Sequence, residues 1–387
     1  MDERAQFAFN VRSAGMSIAE ACRVAGVSRK TGHKWLKRFD EGGVEELADR
    51  STAPLRRPGK TESSVEEYVV ELRRQYPTWG ARKLRAILFR KHPGREWPAS
   101  STIHDILHRH GLVEARPKRR AKDRAPTAPL AHATAANEVW SVDYKGQFRL
   151  GDGSYCYPLT VTDNYSRMLL GCFALAGTHT ASAQQCMSQV FELWGLPVRI
   201  RSDNGTPFSS RGVRGLSRLS AWWYQLGVEP ERIEPGKPQQ NGRHERMHLT
   251  LKKETARPAA KDPTSQQTRF DQFVDVFNHV RPHEALGQTT PASHYEPSAK
   301  IMPNEAAPID YPECDIVKRV SKNGTVKLRS GPLFIGESLT AQNVGLLELE
   351  DGVWMVRFAN LDLGLFEVGD TSLSPLERGK ISKRHGV

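Results

Sequence analysis

The chain has 387 residues, 38% of them hydrophobic, and this length predicts two to four domains, each with a core of its own. The sequence has no run of about 18 apolar residues and no secretory signal, which argues against a membrane span and against secretion. The five cysteines include no C-x-x-C pair, which argues against a disulfide framework and a zinc ribbon. The net charge is +12, and residues 1–130 hold 27 Lys and Arg against 16 Asp and Glu, which predicts a cationic module for a polyanion such as nucleic acid.

A helix-turn-helix unit is predicted near the N-terminus. Ser17 and Glu20 match a capping box before a short helix, Gly26 supplies a turn, and Ser28 caps a second, basic helix that ends at Gly42. In such units the second helix lies in the major groove of DNA, although a plain helical hairpin is an alternative. The candidate DNA contacts on the second helix are Arg29, Lys30, His33 and Lys34.

A second unit of the same kind is predicted at residues 79–113. A basic amphipathic helix follows Trp79, a His-Pro-Gly sequence breaks it, and another helix starts at Ser100 or Ser101 and closes at Gly111. Two units in tandem can grip a longer DNA site, because two attachment points raise the effective concentration of each. The candidate DNA contacts in this unit are Arg82, Lys83, Ser101 and Thr102.

Composition changes along the chain predict the domain boundaries. Strand, hairpin, helix and strand follow each other after residue 137, which is the order of an α/β domain. Beyond residue 310, short alternating segments between Gly and Asp turns are typical of a small β-barrel. We therefore expect all-α helix-turn-helix domains at 1–50 and 51–113, a basic linker at 114–136, an α/β core at 137–300 and a C-terminal small β-barrel at 312–375.

Three carboxylates lie at the ends of predicted elements. Asp143 is in the strand VWSVDY, Asp203 follows the strand VRIR, and Glu245 is in the first turns of a predicted helix. Each alone has an ordinary explanation, because a strand Asp is usually solvated, an Asp can cap its own turn and a first-turn Glu complements the helix dipole. Asp152 and Asp163 lie in predicted turns and are interpreted as structural.

The motifs around the three carboxylates resemble those of one family. WSVDY, TDNYSR, RSDNGTPF, PGKPQQNGRHERMHLTLKKE and NHVRPHEALGQTTP together resemble the DDE transposases and integrases of insertion sequences, in the retroviral-integrase superfamily. The resemblance covers nearly the whole chain and implies a ribonuclease H-like integrase catalytic core. It also implies that Asp143, Asp203 and Glu245 form a metal-binding catalytic triad.

One interval departs from the family pattern. The 41 residues between Asp203 and Glu245 exceed the interval of many members. The surplus is expected at residues 209–215, where Arg211 and Arg214 would suit contact with a phosphate backbone. Two more candidate DNA contacts lie near Glu245, namely Asn241 and Lys252.

The resemblance implies metal-dependent cleavage and transfer of DNA strands. Two Mg²⁺ ions, for which Mn²⁺ can substitute, would clamp the attacking and leaving oxygens of an in-line phosphoryl transfer. Water would first cleave the DNA at the end of the insertion sequence and free a 3′-OH there. That 3′-OH would then attack target DNA. The implied partners are the terminal inverted repeats, the target DNA and at least one further copy of the chain, and the expected location is the cytoplasm, in association with the nucleoid.

The sequence leaves alternatives open. HERMH matches the H-E-x-x-H zinc pattern, with His244 and His248 as ligands, but so short a pattern arises easily by chance and a catalytic zinc usually takes a third protein ligand. A DNA-binding regulator without catalysis would need no three carboxylates at these positions. A nuclease for RNA–DNA hybrids would explain neither the tandem helix-turn-helix units nor the RPHEALG segment.

Overall fold

The computed structural model describes residues 3–49, 61–114, 130, 132–234 and 237–376. Its contacts divide the chain into two units, Met1–Glu62 and Ser63–Val387. Most of the predicted linker lies outside the described residues. No described helix is both long and apolar enough to cross a membrane.

The first unit is a small helical domain in which Ser17 and Ser28 are N-caps, as predicted, although only the Ser17 half of the predicted capping box is formed. The side chain of Ser17 accepts a hydrogen bond from the Glu20 amide, and that of Ser28 accepts one from Thr31. Each cap satisfies an amide that has no partner within its helix. The helices are α1 Glu3–Arg12, α2 Ile18–Val24 and α3 Arg29–Gly42.

Gly32 lets α3 approach its neighbours closely. A Cβ atom at this position would lie 2.5 Å from Cys22 Sγ and 2.8 Å from a ring carbon of Phe7. Glycine lowers helix stability by about 1 kcal/mol relative to alanine, but a larger residue here would force the side chains of Cys22 and Phe7 to shift. The helix therefore depends on tertiary packing at this point.

The second unit begins with three helices that share one core. Trp79, Leu84 and Ile103 are buried there, and Val276 and Val280 from later in the chain pack against the same core. This helical domain is therefore attached to the α/β core that follows it. Its helices are α4 Ser63–Gln75, α5 Ala81–Lys91 and α6 Ser100–Arg109.

A mixed six-stranded sheet forms the centre of the α/β core. β3 pairs antiparallel with β1, β2 and β4, whereas β1, β5 and β6 run parallel. This arrangement confirms the predicted α/β core. The strands are β1 Val139–Tyr144, β2 Phe148–Arg149, β3 Tyr155–Asp163, β4 Leu169–Leu175, β5 Arg199–Ser202 and β6 Glu229–Arg232.

Helices cover both faces of this sheet. Met187 and Trp223 belong to the apolar cluster on one face, and Leu251 and Phe270 belong to the cluster on the other. The first face is thus covered by α7 and α8, and the second by α9 and α10. Their bounds are α7 Thr180–Trp194, α8 Arg218–Gln225, α9 Gly242–Thr255 and α10 Pro263–Asp275.

The predicted C-terminal barrel is not closed in the described residues. Its strands form a sheet of order β12-β11-β10-β7 and a separate hairpin of β8 and β9. Only single bridges, Phe334–Ser372 and Leu365–Ser374, join further segments to these strands, so no ladder connects the sheet edges. The strands are β7 Ile316–Arg319, β8 Thr325–Leu328, β9 Gly331–Phe334, β10 Asn343–Glu350, β11 Val353–Phe358 and β12 Leu361–Glu367.

Residues 209–216, where the surplus is predicted, contact this C-terminal domain. Ser209 and Leu216 form a bridge that folds the segment into a small hairpin. Leu216 and Val213 pack into the apolar cluster of the C-terminal strands, together with Ala221 from α8. The segment therefore anchors the C-terminal domain on the α/β core.

Candidate active site

Two of the three predicted carboxylates lie side by side at one sheet edge. In the parallel pair of β1 and β5, Ser141 is opposite Arg201. Asp143 and Asp203 each follow two residues later, so they are level at the carboxyl ends of adjacent strands. Parallel strands have their carboxyl ends at the same end of the sheet, and α/β proteins usually bind ligands there.

A tight turn fixes Asp203. Its Oδ1 atom accepts a hydrogen bond of 3.0 Å from the Gly205 amide, and Asn204 Nδ2 donates to the carbonyl of Ile233 at 2.7 Å. A Cβ atom on Gly205 would lie 3.1 Å from Asp203 Oδ2, so glycine keeps space around the carboxylate. Asp203 thus caps its own turn with one oxygen.

Glu245 lies in the first turn of α9, and its neighbours in the helix hold that turn against the sheet. Thr160 Oγ1 on β3 lies 2.7 Å from Nε2 of both His244 and His248. His244 Nδ1 also lies 2.8 Å from Thr162 Oγ1. Both histidines are buried, whereas Glu245 is exposed.

One arrangement of protons satisfies this cluster. Thr160 donates its hydroxyl proton to the backbone carbonyl of Asp143 at 3.1 Å, and it can then accept from both Nε2–H groups. Thr162 then donates to His244 Nδ1. Burial lowers the pKa of His244 to about 3, and burial with the neighbouring His244 lowers the pKa of His248 to about 2, so both rings are neutral.

The charges of the three carboxylates influence one another. Burial, reinforced by the negative charge of Asp203 and to a smaller extent of Glu245, raises the pKa of Asp143 to about 7. Like charges brought together in a partly buried site disfavour ionisation, and a cation among them relieves the repulsion. Oxygen-only donors of this kind suit a hard divalent cation.

A second set of possible ligands overlaps this one. Asp143, His244 and His248 offer ligand atoms within 4.8 Å of one another, and His248 Nδ1 is 3.8 Å from Asp143 Oδ2. However, both Nε2 atoms already contact Thr160, and Glu245 is exposed while the two histidines are buried. The histidines therefore fit a role in fixing α9 better than the zinc pattern.

We expect His248→Ala to lower stability without changing metal content. The substitution removes a buried ring that contacts Thr160, and we expect the free energy of unfolding to fall by about 2–3 kcal/mol. Thermal unfolding and elemental analysis of the purified protein measure both quantities. His279→Ala, at an exposed histidine, is the control; stoichiometric zinc that disappears only in His248→Ala would instead support a zinc site.

Most of the predicted DNA contacts lie on the surface. Thr102 is half-buried. Asn241 and Lys83 are predicted DNA contacts but are less accessible than that role requires. The Asn241 side chain is buried at the start of α9, and Lys83 is half-buried with its ammonium donating to the carbonyl of Pro282. Tertiary packing thus withdraws both from open solvent. The exposed ones are Arg29, Lys30, His33, Lys34, Arg82, Ser101, Arg211, Arg214 and Lys252.

The sequence did not identify Thr160 and Thr162 as parts of the site. They alternate along β3 and so face the same side of the sheet. The spacing of His244 and His248 predicts one helical face, but nothing local shows that this face meets β3 more than 80 residues away.

Family models match two parts of the chain. "Integrase core domain" models match residues 133–238 and 226–291. A "helix-turn-helix domain" model matches residues 3–58, and a "homeodomain-like domain" model matches residues 31–107. The integrase models together include all three carboxylates.

Several proteins of insertion elements are similar over most of the chain. The uncharacterized 39.2 kDa protein of insertion element IS476 from Xanthomonas euvesicatoria is 26% identical, over 76% of this chain and 77% of that protein. The uncharacterized 31.7 kDa protein of IS407 from Burkholderia multivorans is 26% identical, over 77% and 96%. Transposase InsD of IS2 from Escherichia coli is 25% identical, over 73% and 91%.

Among solved structures, the catalytic core domain of HTLV-2 integrase in complex with magnesium is similar. It is 13% identical, covers 43% of this chain and 100% of that chain, and has a TM-score of 0.35.

Proposed function

Because the chain belongs to the DDE transposases of insertion sequences, within the retroviral-integrase superfamily, we propose that Asp143, Asp203 and Glu245 are its catalytic, metal-binding residues. The observation that carries the proposal is the level placement of the two aspartates at the ends of adjacent parallel strands. Glu245 is brought to the same end of the sheet because its neighbour His244 contacts Thr160, which donates to the Asp143 carbonyl. The enzyme is a polynucleotidyl transferase that acts in DNA transposition and integration.

Each carboxylate has its own support in the fold. Asp143 and Asp203 extend from the central sheet, which fixes their separation, and Glu245 extends from α9, which the two histidines fix to β3. Two Mg²⁺ ions, or Mn²⁺ in their place, held by these oxygens would stabilise the charge on the attacking and leaving oxygens. The protein itself needs no nucleophile for this chemistry, because water and then a DNA 3′-OH can serve.

DNA binding is assigned to surfaces outside the triad. We propose that the exposed basic start of α3 and the exposed Ser101 of α6 contact the terminal inverted repeats, and that Arg211, Arg214 and Lys252 contact DNA near the site. Arg82 and the half-buried Thr102 complete this set. Phosphate contacts of this kind give affinity and salt dependence, and base contacts give selectivity.

The assembly follows from the reaction. Two element ends must meet one target, so we propose that at least two copies act together on DNA. We assign residues 1–50 and 51–113 to end binding, 114–136 to a linker, 137–300 to catalysis and 312–375 to a C-terminal domain that contacts DNA or a second copy. We propose that the enzyme acts in the cytoplasm, on the nucleoid.

Oligonucleotides from the DNA that flanks the gene test the function. We expect the purified protein to nick them near the element's end and join them to target DNA with Mg²⁺ or Mn²⁺, and to do neither with chelator. Denaturing gels of labelled strands report both products. Binding of the ends without cutting under any metal condition would instead favour a DNA-binding regulator.

A further inference from the structure

The far end of the Glu245 helix contacts the three-helix domain of residues 63–113. Glu254, in the last turn of α9, accepts a hydrogen bond of 2.7 Å from Arg281 Nη1 and another from the hydroxyl of Thr78. Thr78 lies between α4 and α5. One continuous helix therefore joins Glu245 to the domain that is assigned to DNA ends, over about 14 Å.

Arg281 is held in place on several sides. Its guanidinium carbon lies 5.7 Å from the ring centroid of Trp79 and 5.9 Å from that of Phe277, and its side chain is 10% exposed. Trp79 in turn stacks on Tyr76, with ring centroids 4.0 Å apart. A cation that contacts two aromatic rings and is paired with a carboxylate has little freedom to move.

The segment after Arg281 forms the rest of the contact. Lys83 donates to the Pro282 carbonyl, and Arg90 donates to the carbonyls of Val280 at 3.0 Å and Gln288 at 3.3 Å. These bonds join α5 to the end of the catalytic core. The RPHEALG segment, residues 281–287, is thus part of a socket for the three-helix domain.

We propose that the Thr78–Glu254–Arg281 contact sets the distance between the bound DNA end and Glu245, and so selects the phosphodiester that is cut. These three are positioning residues, since none of them extends to the carboxylate site. The proposal rests on the proposed function. A helix anchored at its far end cannot tilt freely, and a misplacement of about 1 Å at a reacting centre can reduce the rate about 10²-fold.

Two variants separate this role from general stability. Thr78→Val removes only the hydroxyl of an exposed residue, and Arg281→Lys keeps the charge but loses the guanidinium geometry. Thr268→Val, on the exposed side of α10, makes the same change as Thr78→Val away from the contact. Each protein is incubated with labelled element ends and Mn²⁺, and the cut positions are read at single-nucleotide resolution.

We expect wild type and Thr268→Val to cut at one phosphodiester. Thr78→Val and Arg281→Lys should bind the DNA ends with an affinity within about twofold of wild type. The fraction of cuts at neighbouring phosphodiesters, however, should be about tenfold larger than in wild type. Hydrogen exchange of the amides in α9 should also be faster in both variants. A merely structural contact would lower the yield of cuts without moving them.

Each outcome has a distinct meaning. If wild type does not cut at all, the proposed function fails. If wild type cuts and both folded variants cut at the same single position, the positioning role is overturned while the function stands, whatever the rate of exchange in α9. Thermal unfolding identifies a variant that has lost its fold, and Thr78→Val then decides, because its side chain is exposed.

Discussion

Asp143→Asn should abolish strand cleavage and strand transfer, with a loss of at least about 10³-fold, while leaving end binding unchanged. The amide keeps the size of the side chain but removes the negative charge that a divalent cation needs. Glu245→Gln should act in the same way from the helix. Cleavage assays with Mg²⁺ and Mn²⁺, together with gel shifts on the same labelled ends, measure the two effects separately.

The chain offers a matched control for this substitution. Asp152 is exposed and accepts hydrogen bonds from its neighbour Ser154 in a turn. Asp152→Asn should therefore retain cleavage within about twofold, as surface substitutions usually have small effects. Cleavage by Asp143→Asn at a rate within tenfold of wild type would contradict the assignment of the triad.

Asp163→Ala should destabilise the catalytic core by about 3–4 kcal/mol, which lowers the unfolding temperature by roughly 8 °C or more. The Asp163 carboxylate is 1% exposed. It accepts bonds from the amides of Asn137, Tyr165 and Ser166 and from the Ser166 hydroxyl. Alanine would leave several of these donors buried without partners.

The exposed turn at Asp152 again supplies the comparison. Asp152→Ala removes bonds to a serine amide and hydroxyl of the same kind, but water can replace them. Its unfolding temperature should stay within about 2 °C of wild type. Equal shifts in the two variants, read by thermal unfolding, would show that burial of the Asp163 network contributes nothing.

Local chemistry made much of the fold predictable from sequence. Ser17 and Ser28 cap helices through amides three residues away, so a short window contains all the information. The Asp-Asn-Gly turn after β5 is equally local, because Asp203 bonds the amide of Gly205. The alternation of strands and helices predicted the α/β core for the same reason.

What the sequence could not predict depends on contacts between distant residues. Thr160 meets two histidines of α9 across the sheet, and Thr78 meets Glu254 across a domain boundary. Lys83 lies in a basic helix and is therefore a predicted DNA contact, yet its ammonium donates to the backbone carbonyl of Pro282 in the core. Whether a group of strands closes into a barrel likewise depends on whether its two edge strands pair. The alternation of apolar and polar residues along each strand does not specify that pairing.

The anchoring hairpin at residues 209–216 has a practical consequence for anyone who wishes to isolate the catalytic core. Val213, Leu216 and Ala221 pack under the C-terminal strands, and Tyr224 contacts Phe358 with ring centroids 6.2 Å apart. A fragment that stops near residue 300 would expose this apolar patch to water, and such patches promote self-association. Soluble fragments of this enzyme should therefore retain the C-terminal domain or carry polar substitutions at these positions.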